Sequence, residues 1–416
     1  MKKIRLCAVL LLMAAAALGA QSDSPDGEAP NSWQMPDRIV ELGLDLDLGF
    51  GNTIVKLGDI FNFRKTLRIN LASMAAGKLS AMENAALSAF FDVHIGNKLS
   101  IGVFSGFQVD AFQSAPKEFT ELLRRGNAKT KSVKLELSAG AAAFVDAGLR
   151  VESVVDKLRV AVKPAAYVPL VYLPPLDMGV ELSMTESGMV LDGSAVMNMY
   201  AAVSPEKLLE EGITDLAVLI PSPLPLGFDL SLEGSYELLP VLDLGLSISH
   251  IPLYPAQLRY RMRQEFSIKG DWSDLFNTLT EGNFDMPAME SSRTYSDGTL
   301  FTAFRPLRFD VSVAYRPLGI DLFVFRSHIG FSVLTVFGYD TACFNAGLGG
   351  EIRIANILGL SLGTDYVERL WKHALGLRLN LRALELNGEI SLKGPDIPNS
   401  FQGRGLGATV GIRLGF

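Results

Sequence analysis

"RGLGATVGIRLGF", Arg404 to Phe416, places Leu406, Ala408, Val410, Ile412, Leu414 and Phe416 on every second position. Gly407, Thr409, Gly411, Arg413 and Gly415 fill the positions between. A period of two marks a strand with one apolar and one polar side; a helix would repeat every 3.6 residues. The same writing recurs upstream. "ELGLDLDLGF" from Glu41 sets Leu42, Leu44, Leu46, Leu48 and Phe50 against Glu41, Gly43, Asp45, Asp47 and Gly49. "FDLSLEGSYEL" from Phe228, "LDLGLSISH" from Leu242 and "RFDVSVAYR" from Arg308 alternate likewise. So do "FNAGLGGEIRI" from Phe344, "LGLSLGTDY" from Leu358, "ALGLRLNLR" from Ala374 and "LELNGEISLK" from Leu384. Between Val133 and Val151 one alternating face runs on far beyond the usual soluble strand of about 5–6 residues.

A soluble β-sandwich also alternates, so three further features decide. The strands reach about 9–12 residues or more, the length that crosses a bilayer at a tilt of about 45°. Their polar faces carry Asp45, Asp47, Glu233, Glu237, Arg378, Arg382, Glu385 and Glu389, which a dry core would penalise. Many other polar-face positions are Gly or Ser, suited to the wall of a wet or partly filled lumen. In lipid every backbone group must pair within the protein, so only a closed barrel can use such strands. The expected fold is therefore all-β: a transmembrane antiparallel β-barrel of about 14–16 strands, greasy outside, with short helical segments in loops or lumen. Asp45, Asp47, Glu233, Glu237, Arg378 and Arg382 are expected to face that lumen.

The chain of 416 residues opens with MKKIRLCAVLLLMAAAALGAQS. Lys2, Lys3 and Arg5 precede an apolar run, Leu6 to Leu18, too short to span about 30 Å of hydrocarbon. Small residues Gly19 and Ala20 offer a cleavage site, the pattern of a secretory signal peptide. The expected division is a signal peptide at 1–20, a flexible, Pro-rich segment at 21–37 and the barrel at 38–416. Removing the signal's three cations takes the formal charge from −7 to about −10, which argues against a nucleic-acid partner. It leaves Cys343 as the single cysteine, so no intramolecular disulfide is expected. An acidic lumen, if open, predicts a modest preference for cations.

Links between strands alternate in length. "RPLGI" at Arg316, "ANILG" at Ala355 and "RALE" at Arg382 are short, and "IGNKLS" at Ile95 reads as a tight hairpin. The 270–300 stretch, "VERLWKH" and "GPDIPNSFQGRG" read as longer polar links. Short turns on one side and long loops on the other are what a membrane barrel shows. "APKEFTELLRRGN" (Ala115 to Asn127), "DWSDLFNTLTEGN" (Asp271 to Asn283) and "SPEKLLEEGITDL" from Ser204 read as helices. "VKPAAYVPLVYLPPLDMG" carries Pro164, Pro169, Pro174 and Pro175. Proline cannot donate to a ladder, so this stretch is either a strand bent to open the wall sideways or an extended loop.

Catalytic signals are sparse. His94, His250, His328 and His373 stand far apart, none of them in an HExxH pair. There is no GxSxG elbow. His250, following Ser247 and Ser249 at a strand end, is the best candidate for rim catalysis, and a structural role suits it better. "GLGG" at Gly347 lies within a strand, so it is no phosphate loop. Asp45 and Asp47 could bind a cation on one face; lining a solvated lumen suits them better. No enzyme activity, cofactor or metal is expected.

The final alternating strand, with Val410, Ile412, Leu414 and Phe416, resembles the C-terminal signal of bacterial outer-membrane barrels. That resemblance implies the barrel-assembly machinery and outer-membrane lipid as partners. More loosely, the length, Gly-rich strands and inserted helices resemble spirochaete outer-membrane proteins similar to the long-chain fatty-acid transporter family. The family's early Asn-Pro segment has no counterpart beyond "MENAALSAFF" at Met82. The resemblance implies an outer-membrane channel or transporter for passive uptake of small molecules, hydrophobic or lipid-like ones among them. Two alternatives belong to other classes: a surface adhesin that binds through its loops, and a structural barrel with a plugged lumen.

Overall fold

The computed structural model describes residues 38–53, 79–118, 132–184, 189–206, 224–272, 288–317, 322–333, 342–355, 357–367, 370–394, 396–401 and 403–416. The expected signal peptide and the 21–37 segment lie outside these residues. In chain order the strands are β1 (Val40–Asn52), β2 (Leu79–Ile95), β3 (Leu99–Ala115), β4 (Ser132–Val155), β5 (Leu158–Met184), β6 (Met189–Ala201), β7 (Gly227–Leu239), β8 (Leu242–Tyr254), β9 (Ala256–Leu258) and β10 (Tyr260–Trp272). There follow β11 (Ala288–Ser296), β12 (Phe301–Ala303), β13 (Leu307–Tyr315), β14 (Phe323–Val333), β15 (Ala342–Ile354), β16 (Leu358–Val367), β17 (Leu370–Leu381), β18 (Leu384–Gly394) and β19 (Gly405–Gly415), with a four-residue helix α1 (Ile397–Ser400) before β19.

Fourteen of these strands close a barrel in the order β1-β2-β3-β4-β5-β7-β8-β13-β14-β15-β16-β17-β18-β19, antiparallel at every seam. The ring shuts where the first strand meets the last. Leu42 stands opposite Leu414, Leu44 opposite Ile412, Leu46 opposite Val410 and Phe50 opposite Leu406. Asp45 and Asp47 meet Gly411 and Thr409 on the other face. The two alternations interlock because a one-residue slip would turn every apolar side chain inward. The carbonyl of Phe416 accepts from the amides of Ile39 (2.6 Å) and Val40 (3.2 Å), which fastens the seam's lower end.

The outer surface is an apolar band. Leu348, Leu362 and Ile390 are 64–68% exposed, and leucine, isoleucine, valine and phenylalanine are exposed on most wall strands. The buried polar residues, Glu41, Asp45, Asp92, Glu152 and Glu351 among them, point the other way. This inversion would be an outsized apolar patch in water; in hydrocarbon it is the low-energy arrangement. No helix among the described residues is long and apolar enough to cross a membrane.

Short links cluster on one side. Two residues join β4 to β5 (Asp156, Lys157), β7 to β8 (Pro240, Val241) and β17 to β18 (Arg382, Ala383), and three join β2 to β3. Asp156, Arg382 and Gly96 take left-handed backbone there (φ 54°, 62° and 63°), as turns this tight demand. Arg38 braces the Arg382 turn, donating Nε (3.0 Å) and Nη2 (2.6 Å) to its carbonyl. Inside the wall, Gly43 lies opposite Phe90 and leaves no room for a Cβ beneath that ring. The ring covers the glycine, a pairing that pins strand register.

Three expectations change. "VERLWKH" is not a long link: Val367 already pairs with Leu370, where β17 begins. The 270–300 stretch is strand at its start and again from Ala288: Asp271 and Trp272 finish β10 and β11 spans Ala288–Ser296, while 273–287 lie outside the described residues. The proline-rich stretch is not a loop but the interior of the 27-residue strand β5, whose pairing with β6 is interrupted between Tyr172 and Met178. Apart from their first few residues, the three expected helices fall outside the described residues.

β5 forks the wall. Up to Tyr167 it pairs with β7; from Val171 it pairs with β6. Register shifts on its β4 side fall at Ala139/Ala141 and Ala143/Phe144, facing Pro169 and the prolines beyond. Missing amides and bulges allow a strand to change neighbours. Above the fork, β4, β5, β6, β10 and β11 continue as an antiparallel arm. The chain enters the arm from β8 through β9 and returns through β12 to β13; β9 and β12 pair with each other.

Candidate functional site

The inward faces of the wall strands enclose a cavity of about 1320 Å³. Its lining starts on the turn side with Arg38, Glu41, Arg382 and Phe416 and extends towards the loop side to Gly51, Asp110, Asp146 and Lys393. On β1 that is Glu41 to Gly51, eleven residues. At about 3.3 Å per residue and a tilt near 40° this covers most of a hydrocarbon core.

Charge pairs of alternating sign run around the wall. Arg150 bridges Asp92 (3.1 Å) and Glu152 (2.6 Å), and Arg159 reaches the same Glu152. Lys163 contacts Glu233 across the β5–β7 seam. Glu351 lies between Arg353 (2.7 Å) and Arg326 (3.0 Å). Glu385 lies between Arg378 (2.9 Å) and Arg413 (3.8 Å). Some partners stand two residues apart on one strand, as Arg150–Glu152 and Arg353–Glu351; others come from strands nearby, because inward residues of adjacent strands lie side by side.

Of the six residues expected in the lumen, Asp45, Asp47, Glu233, Arg378 and Arg382 line this cavity. Glu237 sits near the β7–β8 turn, 3.8 Å from Lys157, and is not part of the lining. The lining is not acidic, contrary to the expectation from net charge. Among the described residues it presents twelve aspartates and glutamates and twelve lysines and arginines. His250 is held by the fold at the end of β8. It is buried, its amide donates to Ser231 Oγ (3.1 Å), and its Nδ1 lies 2.9 Å from the Pro306 carbonyl. It fastens β8 to the segment that returns from the arm. The side chain of Cys343 lies outside the described ones.

The residues that sequence reading missed sit at the fork. Tyr167, Tyr172, Phe144, Ala142, Ala256, Leu258 and Ala303 form a buried cluster, with Phe112, Tyr200 and Phe301 packed against it. Phe301 stacks on Tyr200 (ring centroids 4.0 Å apart) and leans on Tyr172 (4.9 Å). Tyr167 donates its hydroxyl to the Ala303 carbonyl (3.1 Å). Arg305, two residues beyond β12, grips Asp229 with Nε (2.6 Å) and Nη2 (2.7 Å), contacts Asp146, and lies 5.5 Å over the Tyr167 ring. The β9/β12 ladder is thus tied to the inner wall by one buried guanidinium held bidentately. The available signal was the prolines around it, Pro252, Pro255 and Pro306, which mark where the chain leaves and re-enters the wall.

No protein-family model matches the chain, and no curated protein matches it. Several solved structures are similar in outline. The toluene transporter TodX of P. putida is 11% identical over 92% of this chain and 91% of its own, with a TM-score of 0.44. The toluene transporter TbuX of Ralstonia pickettii is 9% identical over 92% and 90%, TM-score 0.43. A FadL homologue of Pseudomonas aeruginosa is 10% identical over 97% and 95%, TM-score 0.42. At these scores the likeness carries no weight for substrate or mechanism.

Proposed function

We propose that this chain is a passive channel of the bacterial outer membrane, exported through a cleaved signal peptide, that admits small molecules through its lumen. One observation carries the reading: a water-compatible, charge-lined cavity inside a closed barrel whose outside is apolar. Passive flow needs no chemistry, only a path whose polar groups replace those of bulk water. In this reading the β9/β12 ladder, tied to the wall through the lining residue Arg305, narrows the loop-side end of that path. In assembly, Val410, Ile412, Leu414 and Phe416 would present the outward face of the closing strand to the barrel-assembly machinery.

A second reading, entry of small hydrophobic molecules, is favoured by the aromatic cluster at the fork, an apolar surface available to a ligand if the ladder moves. The refolded mature chain in a planar bilayer should give discrete single-channel currents, and proteoliposomes should take up small solutes. Currents without uptake of labelled fatty acid leave the first reading standing alone. Absence of both current and uptake refutes both readings and leaves a structural barrel or an adhesin.

A further inference from the structure

From the balance of the lining, we infer that the lumen is selective for small zwitterions, amino acids being the fitting class, and barely distinguishes cations from anions. The inference rests on the lumen being the conducting path. Twelve acidic and twelve basic residues line the cavity, so the two signs are close to balance along it among the described residues. The arrangement matters as much as the sum. The signs alternate within single contacts: Asp92–Arg150–Glu152 at 3.1 and 2.6 Å, and Arg326–Glu351–Arg353 at 3.0 and 2.7 Å. These spacings are far below the screening length of about 8 Å at physiological salt.

A solute with one net charge therefore meets attraction and repulsion at every level of the wall, and the two cancel. A solute with an ammonium and a carboxylate a few bonds apart can engage both signs at once, replacing water at each end with a charge-assisted hydrogen bond. A hydrocarbon meets Met82, Phe90, Phe104 and Phe144 along the wall but must displace the hydration of the charged groups between them. The sequence's acidic net charge is not concentrated in the lumen: Asp92 and Glu152 lie against Arg150 and Arg159, Glu351 against Arg326 and Arg353, and Glu385 against Arg378 and Arg413.

Two measurements on the refolded protein test this. Under a KCl gradient the reversal potential should lie near zero, with permeabilities of the two ions within roughly twofold of each other. Lys163→Glu should move that potential towards cation selectivity, and Glu233→Lys towards anion selectivity. Lys163→Gln and Glu233→Gln should follow in the same directions with smaller shifts. Heat-modifiable migration on gels reports folding of each variant. In equilibrium tracer exchange from proteoliposomes, glutamine should exchange faster than both glutamate and lysine, which should match each other. A strongly ion-selective wild-type channel, or glutamine exchanging no faster than the two charged amino acids, overturns the inference while leaving the channel intact. Absence of any current or exchange overturns the channel reading itself, and the inference with it.

Discussion

Arg305→Ala is expected to lower the stability of the folded barrel by about 3–5 kcal/mol, the usual cost of removing one partner from a buried charge pair. Its side chain is 5% exposed and that of Asp229 is 2% exposed, so no solvent replaces the lost guanidinium. Two inward carboxylates, Asp229 and Asp146, would then share a site with no cation between them. The β9/β12 ladder would lose its ionic anchor to the wall and keep the Tyr167 bond and the stacked rings as its tether. The same variant should therefore raise the unitary conductance. Thermal unfolding read by heat-modifiable migration gives the first effect, and bilayer recording the second. The double change Arg305→Ala with Asp229→Ala removes an orphaned carboxylate and should recover part of the stability while conductance stays high. Unaltered conductance in both variants would mean that the ladder does not narrow the path.

The second large effect concerns the outside. Leu362 lies midway along β16 and is 68% exposed. Placed in hydrocarbon, Leu362→Arg should cost about 2–4 kcal/mol, the penalty for a cation near the bilayer midplane on a barrel's lipid face. Ser88→Arg puts the same side chain on the lumen face, opposite Asp45 in register, where water and a carboxylate receive it. That change should leave stability nearly unaltered and shift ion selectivity. Equal costs at both positions would contradict the assignment of faces. Folding into lipid vesicles under a urea titration measures both.

How far the sequence carried the structure depends on what alternation encodes. Leu42 to Phe50 and Leu406 to Phe416 state which face is apolar, and a strand with one greasy side and a charged other side has few stable homes. The closed barrel, its short turns at Ile95 and Arg382, and the inward placement of Asp45, Asp47, Glu233 and Arg378 are all consequences of that pattern. Alternation does not say which strand lies alongside. The fork was hidden for that reason: Pro169 marks a break in β5 between Tyr167 and Val171, but a break does not say that the two sides have different neighbours. β10 was not among the strands read from the sequence: Gln264 interrupts its apolar face, and Arg261, Arg263 and Glu265 fill the other. "VERLWKH" misled through its charges, close to where β17 begins. Arg305 was invisible because its partners, Asp146 and Asp229, lie 159 and 76 residues away, and a lone Arg-Pro pair carries no motif. The balanced lining was equally hidden, since net charge counts residues without regard to the way they point.

The most direct test of a sheet closed on itself, lipid outside and water inside, lies on β1. In a Cys343→Ser background, single cysteines at Leu44, Asp45, Leu46, Asp47 and Leu48 can be exposed in proteoliposomes to a membrane-impermeant thiol reagent. The positions of Asp45 and Asp47 should react, and those of Leu44, Leu46 and Leu48 should stay protected. Uniform labelling along the strand, or reaction at the leucine positions alone, would contradict the closed barrel in lipid.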